Sequence, residues 1–249
     1  MIKREIPNII TLFNLLCGVL AIVFLFESNN VIIPSLLILM GAFFDFFDGL
    51  AARLLKVESA IGRELDSLAD VVTFGVAPAL MTLVLLKGKA GFVDGQWSFL
   101  VFIPLFMALM SAYRLAKFNV DTRQTTSFLG VPTPANALLW LSLPVIQHLS
   151  FFKIHLWGWY DESFYQFLTS MLTNEWFIVM GSLIMSVMLV IEVPMMAFKF
   201  KNMTWKDNKV RFVFIVTSFL LFFVMNFYAI PFIIILYITV SIISNLITK

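Results

Sequence analysis

DFFDGLAARLLKVESAIGRELDSLAD, residues Asp45 to Asp70, is the stretch whose reading decides the fold. It holds four aspartates, two glutamates, three basic residues and two glycines, in a chain that is only 13% charged. The sequence on either side is largely apolar. A carboxylate is costly in hydrocarbon, so acidic residues within apolar spans face a partner or a cavity and mark a site. On a helix, Asp45, Asp48, Gly49, Ala52 and Arg53 share one face, at i, i+3, i+4, i+7 and i+8. On the next helix Gly62, Asp66, Ala69, Asp70 and Thr73 do the same. Small residues on each face would let the backbones, or a ligand, come close.

Working outward, composition sets the class. The chain has 249 residues and is 61% hydrophobic, with a mean hydropathy of +0.95, against roughly 45–50% apolar residues in ordinary soluble domains. It reads as a polytopic membrane protein. Net charge is only +2, which argues against a nucleic-acid partner. The single cysteine, Cys17, sits in an apolar run and reads as packing. The opening MIKREIPN followed by an apolar stretch resembles a signal peptide, but no small-residue cleavage site ends it, and it reads as a retained first helix.

A span takes ~20 mainly apolar residues, and eight stretches qualify: about Ile9–Phe26, Val31–Leu55, Leu65–Leu86, Phe99–Ala116, Val131–Leu149, Trp176–Phe198, Phe212–Tyr228 and Pro231–Ile247. The expected fold is an all-α membrane bundle in one domain, residues 1–249, with a turn at Ala229-Ile230 before Pro231. With the N-terminus in the cytoplasm, fourteen of the basic residues fall on that side. Only Lys87, Lys89 and Lys153 fall on the other. The asymmetry predicts cytoplasmic termini and places the aspartates at the cytoplasmic end of spans two and three. Residues 150–175, with His155, Trp157, Trp159, Tyr160 and Tyr165, read as an interfacial hairpin or amphipathic helix.

Converging carboxylates repel unless cations intervene. With no histidine or second cysteine nearby, hard divalent ions with oxygen ligands fit best. Two ions held by Asp45, Asp48, Asp66 and Asp70 would suit a diphosphate substrate, with Arg53 and Arg63 adding fixed positive charge.

The stretch matches, at every fixed position, D-x-x-D-G-x-x-A-R, eight residues, G-x-x-x-D-x-x-x-D: Asp45, Asp48, Gly49, Ala52, Arg53, Gly62, Asp66 and Asp70. It thereby resembles the CDP-alcohol phosphotransferases. The resemblance implies a six-helix core with further C-terminal spans. It also implies transfer of a phosphoalcohol from a CDP-linked lipid to an alcohol, with release of CMP and need for Mg²⁺ or Mn²⁺. Carried over, it makes Asp45, Asp48 and Asp66 metal ligands, and Asp70 the general base that also touches a second metal. Gly49, Arg53 and Ser59 match positions used around cytidine and diphosphate. Asn8, Thr11 and Asn14, a polar edge on the first helix, match nucleotide-contacting positions, with helix capping the plainer alternative for Asn8. Related enzymes are often homodimers, so a second copy of the chain is an open partner.

The acceptor alcohol is set elsewhere. Tyr113-Arg-Leu-Ala-Lys-Phe-Asn119 and Phe128-Leu-Gly-Val-Pro-Thr-Pro-Ala-Asn136 resemble the R-L-A-R-F-N and F-x-G-L-P-x-P-A region of the integral-membrane phosphatidylserine synthases, with Lys117 and Val131 as the departures. That resemblance implies CDP-diacylglycerol and L-serine as substrates. Serine brings a carboxylate, for which Arg114, Lys117 and Arg123 are candidate partners, positive-inside anchoring being the plainer reading of each. Phosphatidylglycerophosphate synthesis is the alternative within the family. Intramembrane prenyltransferases space their aspartate motifs farther apart. A divalent-cation transporter would need a polar path across the bundle, and spans two and three turn apolar away from the aspartates.

Overall fold

A computed structural model of the protein describes residues 2–27, 31–57, 59–88, 98–121, 128–152, 161–197 and 204–247. It is an all-α polytopic bundle with one two-residue strand pair among the described residues. Helix α1 is Ile2–Glu27 and α2 is Ile32–Leu55. Helix α3, Ala60–Asp70, runs through a π-helical turn, Val71–Val76, into α4, Ala77–Lys87. A 3₁₀ turn, Ser98–Phe102, leads to α5, Leu105–Val120. Then come β1, Phe128–Leu129, α6, Thr133–Phe151, α7, Glu162–Leu172, and α8, Glu175–Val190. Strand β2, Pro194–Met195, precedes α9, Trp205–Met225, and α10, Ala229–Ile247.

The eight expected apolar stretches all fall on these helices, but with different ends. Five described segments are long and apolar enough to cross a membrane, and the pair α7 and α8, bent by 56°, could form a sixth span. One of the five, Asp207–Leu246, is 40 residues long, about twice what a bilayer needs. It folds back on itself: Phe214 of α9 and Tyr237 of α10 meet edge to face with ring centroids 5.9 Å apart. The reversal lies at Asn226, whose φ is +56°, rather than at Ala229-Ile230. Asparagine tolerates positive φ better than most residues. Pro231 sits in the first turn of α10, where its missing N–H costs nothing. Helix α8 stops at Val190 instead of reaching Phe198, because the chain turns extended at Ile191 and β2 pairs antiparallel with β1, Phe128 opposite Met195. The proline at 194 helps, since the residue before a proline is driven toward extended backbone.

Helix α6 is not among those long apolar segments; it carries Asn136, Ser142, Pro144, Gln147 and His148, and it is an inner helix. Twelve of its residues are buried. Trp140 Nε1 donates to Asn136 Oδ1 at 2.9 Å and Ser142 Oγ to the Leu139 carbonyl at 2.6 Å, while the buried Asn136 Nδ2 has no hydrogen-bond partner. Around it, Leu86, Met107, Leu143, Ile146 and Ile178 form the larger core, and Ala21, Ile38, Phe74, Ala77 and Met81 a second one against Ala137 and Leu141. Of the 150–175 segment, α7 is helical and N-capped by Asp161, which accepts from the Ser163 and Phe164 amides. His155, Trp157, Trp159 and Tyr160 lie outside the described residues. Cys17 is buried, as a packing residue should be.

Helix α1 is split lengthwise. Ile9, Leu12, Leu16, Val19 and Val23 are exposed on one face, while Thr11, Asn14, Gly18, Ala21 and Leu25 are buried on the other, the spacing of a lipid-facing and a packing stripe. Apolar contact gains little inside lipid, so close approach through small residues must supply the packing. Thr73, on the π-helical turn, supplies it. A Cβ added at Gly18 would lie 2.9 Å from the Thr73 Cα, and one at Gly41 would lie 2.5 Å from its Cγ2. On the far side, a Cβ at Gly75 would lie 3.0 Å from Ser111 Cβ of α5. The turn is therefore wedged between α1, α2 and α5. Gly18→Val should lower the thermal midpoint in detergent by several degrees, an overpacking cost of about 1–3 kcal/mol, whereas Val19→Leu on the lipid-facing stripe should leave it unchanged.

Candidate active site

The two aspartate helices are joined by a tight connection. Lys56 adopts positive φ (52°), its amide closing α2 onto the Ala52 and Arg53 carbonyls. Ser59 then caps α3 by accepting the Gly62 amide at 2.9 Å. The turn folds α3 back beside α1 and α2 and faces the two acidic stripes toward each other. Carboxylate oxygens of Asp45, Asp48 and Asp66 all lie within 4.8 Å of one another. Asp48 is only 6% exposed.

Helix α1 supplies the counterparts. Thr11 Oγ1 lies 2.7 Å from Asp48 Oδ2, and also within 3.0 Å of the Pro7 carbonyl. One turn along, Asn14 Nδ2 donates to Asp70 Oδ1 at 3.1 Å, and the Asn14 carbonyl accepts from Thr73 Oγ1 at 3.0 Å. Thr11 and Asn14 on the α1 edge thus each meet an aspartate of the central stretch. Asn8 stands inside α1, so it caps nothing. Its amide nitrogen bonds Glu5 at 3.0 Å, and its Oδ1 would lie 2.9 Å from a Cβ placed at Gly62.

A cavity of about 470 Å³ opens beside this group, lined among others by Asn8, Thr11, Asp48, Gly49, Ser59, Gly62, Arg63 and Asp66. A Cβ at Gly49 would meet no protein atom within 4 Å and would project into that space. Of the residues expected around a nucleotide, Asn8, Thr11, Gly49 and Ser59 line the cavity. Asn14 does not: it is fully buried and engaged with Asp70. Arg53 is exposed and outside the lining, whereas Arg63 is part of it.

A cation fits the three-carboxylate group. The 4.8 Å spread is about twice the ~2.0–2.6 Å distance from a hard divalent ion to its oxygen ligands, so one ion between the carboxylates could reach all three. Asp66 Oδ1 is buried without a hydrogen-bond partner, a cost that a ligated metal would remove. Asp70 stands outside the group of three. It is one helical turn deeper than Asp66, 8% exposed, and held by Asn14.

The acceptor-side candidates divide. Helices α3 and α5 run antiparallel, with Asn119 Nδ2 donating to Ser67 Oγ at 2.9 Å and Ser111 against Gly75. That register brings Arg114 level with Asp70, and the guanidinium lies within electrostatic reach of that carboxylate. Arg114 is 8% exposed and its Nε has no hydrogen-bond partner. Lys117 is committed to Glu192 at 2.6 Å. Arg123 lies outside the described residues. Glu192 was missed from sequence, although a lone acid at the end of an apolar span was the available signal. Thr73 was noted only as part of a face, and nothing in its spacing announced its bond to Asn14.

Comparison with known proteins agrees with this geometry. A family model described as CDP-alcohol phosphatidyltransferase matches residues 4–160. The CDP-diacylglycerol--serine O-phosphatidyltransferase of Bacillus subtilis (strain 168) is 40% identical over 129 residues, 52% of this chain and 69% of that protein. The protein of the same name from Mycobacterium tuberculosis (strain ATCC 25618 / H37Rv) is 30% identical over 196 residues, 76% of this chain and 63% of its own length. The one from Saccharomyces cerevisiae (strain ATCC 204508 / S288c) is 42% identical over 115 residues, 43% and 39% respectively. The match thus spans less than two thirds of the mycobacterial and yeast proteins. Every position of the aspartate signature lies inside the matched region, and the chain belongs to the CDP-alcohol phosphatidyltransferase family.

Proposed function

We propose that this protein is a phosphatidylserine synthase, transferring the phosphatidyl group of CDP-diacylglycerol to L-serine and releasing CMP. The observation that carries the reading is three aspartates beside a 470 Å³ cavity with a fourth carboxylate held one turn away. The serine acceptor is supported by the relatives, which bear that activity in their names. It is supported too by an anion-seeking Arg114 level with Asp70.

In this reading Asp45, Asp48 and Asp66 would hold a divalent ion, Mg²⁺ or Mn²⁺, and Asp70 would also serve a second ion. Bound there, the metal would neutralise the diphosphate and polarise the phosphorus under attack. Asn8, Gly49, Ser59 and Arg63 border the space for the CDP moiety, Gly49 because a side chain would fill it. Arg53, exposed at the rim, would meet the nucleotide only from outside the lining. Thr11 and Asn14 act through the aspartates, fixing the rotamers of Asp48 and Asp70. Asp70 takes the proton from the serine hydroxyl as its oxygen attacks the β-phosphorus. The new O–P bond forms while the bond to CMP breaks. Arg114 pairs with the serine carboxylate and so orients the hydroxyl toward Asp70. The basic-residue asymmetry puts both termini and this site on the cytoplasmic side of the cell membrane. Assembly as a homodimer follows the habit of related enzymes.

The decisive experiment is CMP release from CDP-diacylglycerol in detergent, comparing L-serine, glycerol 3-phosphate and inositol phosphate. Serine should support release. Release only with glycerol 3-phosphate would make the protein a phosphatidylglycerophosphate synthase, and metal flux into vesicles without CMP release would make it a transporter. Chelation with EDTA should abolish turnover, and Mg²⁺ or Mn²⁺ should restore it. Asp70→Asn should keep CDP-diacylglycerol affinity while kcat falls by about 10²-fold or more. Near-normal turnover there would remove Asp70 from the base role. Arg114→Lys keeps the charge but loses the planar fork, and should raise the serine KM about ten-fold with little change in the CDP-lipid KM.

A further inference from the structure

The last helix, α10, lies beyond the region matched by the family model. It is almost wholly apolar, yet Tyr237, Ser241 and Asn245 recur at i, i+4 and i+8 on one face. All three bond the same short piece of chain. Tyr237 Oη donates to the Met196 carbonyl at 3.0 Å, the Met196 amide donates to Ser241 Oγ at 3.1 Å, and Asn245 Nδ2 donates to the Pro194 carbonyl. From α9, Arg211 Nε donates to the Ala197 carbonyl at 2.9 Å. The strap at 191–197 is therefore anchored by the C-terminal hairpin at three of its residues: Pro194, Met196 and Ala197.

The other edge of the strap faces the acceptor side. Met195 and Pro194 pair with Phe128 and Leu129, and the Gly130 amide donates to the Val193 carbonyl at 3.0 Å. Gly130, at φ +72°, has no room for a side chain, since a Cβ there would run into the Leu189 carbonyl oxygen at the end of α8. Glu192 reaches Lys117 on α5. Between α5, β1 and the end of α8 lies a narrow cleft lined by Arg114, Lys117, Phe118, Leu129, Leu189 and Val190; the strap holds two of these residues, Leu129 by its pairing with Pro194 and Lys117 through Glu192. The cleft's volume is about 10 Å³, room for one water-sized group. In so tight a cleft a small shift of Leu129 or Lys117, the two lining residues the strap holds, changes the space beside Arg114. Tyr237 also lies within electrostatic reach of Arg114, so the anchoring helix and the guanidinium are near neighbours.

We propose that Tyr237, Ser241 and Asn245 are positioning residues for the acceptor: through the strap, α10 sets the opening over Arg114 and hence the affinity for a small carboxylate-bearing alcohol. This rests on the reading of Arg114 as the acceptor's partner. It gives the C-terminal hairpin a part in acceptor recognition although it contributes nothing to the aspartate site.

The test is steady-state CMP release by the full-length protein in detergent, with L-serine and CDP-diacylglycerol varied in turn. The variants are Tyr237→Phe/Ser241→Ala, Ser241→Thr and Arg114→Lys. The double variant removes two strap bonds and should raise the serine KM about five- to ten-fold. The CDP-diacylglycerol KM and kcat at saturating serine should stay within about two-fold. Ser241→Thr, which keeps the hydroxyl, should behave as the parent. An equal loss across both substrates with a lowered thermal midpoint would reduce the hairpin to a structural support and overturn the proposal. So would an unchanged serine KM in the double variant while Arg114→Lys raises it, and in that case the acceptor reading survives. An unchanged serine KM in Arg114→Lys overturns the acceptor reading itself and the strap's role with it.

Discussion

Four carboxylates brought together inside an apolar bundle repel one another and lose their water, and the rest of this structure is arranged around holding them there. Asp45, Asp48 and Asp66 stand within 4.8 Å of each other, and Asp70 lies one turn below. Water cannot offset the charge at that depth as it would at a surface. Two kinds of compensation are available, a cation between the carboxylates and hydrogen-bond donors behind them. The second is built into α1, whose Thr11 and Asn14 reach Asp48 and Asp70. The first is left to the metal that the unpartnered Asp66 oxygen calls for.

That requirement explains the close packing at the π-helical turn. For Asn14 to meet Asp70, α1 must approach the α3–α4 segment closely, and Gly18 and Gly41 make the space in which Thr73 sits. Thr73 returns a hydrogen bond to the Asn14 carbonyl, so the turn after Asp70 and the residue that orients Asp70 hold each other. The π-helical geometry widens the helix there, as such turns often do at functional sites. A side chain added at Gly18 would push on Thr73, whose hydroxyl bonds the carbonyl of the Asn14 that holds Asp70.

The donor and acceptor halves are built differently. The donor half is a rigid pair of helices joined by a capped turn, with its ligands on regular helical spacing. In the proposed reading the acceptor half would be assembled from separate parts of the chain: Arg114 on α5, the β1 segment before α6, and the strap after α8 held by α10.

Much of the donor site was legible in the sequence because helical periodicity is local. The spacing of Asp45, Asp48, Asp66 and Asp70 within a hydrophobic chain sufficed to place them on two facing stripes, and the signature named the family. The helices themselves were legible for the same reason, from the length of apolar runs. Their ends were not: the chain reverses at Asn226, at positive φ, in place of Ala229-Ile230, and the early stop of α8 at Val190 goes with a strap pairing with residues about 65 positions away. Nor could spacing tell which cation faces the site. Arg114 and Lys117 are three residues apart, yet one is buried with an unpartnered Nε and the other is taken by Glu192. Sequence alone determined the chemistry that the chain carries, because that chemistry is written in short-range spacing. Only the tertiary structure decided which side chains are already spoken for, because ion pairs and strap contacts join residues that no local period relates.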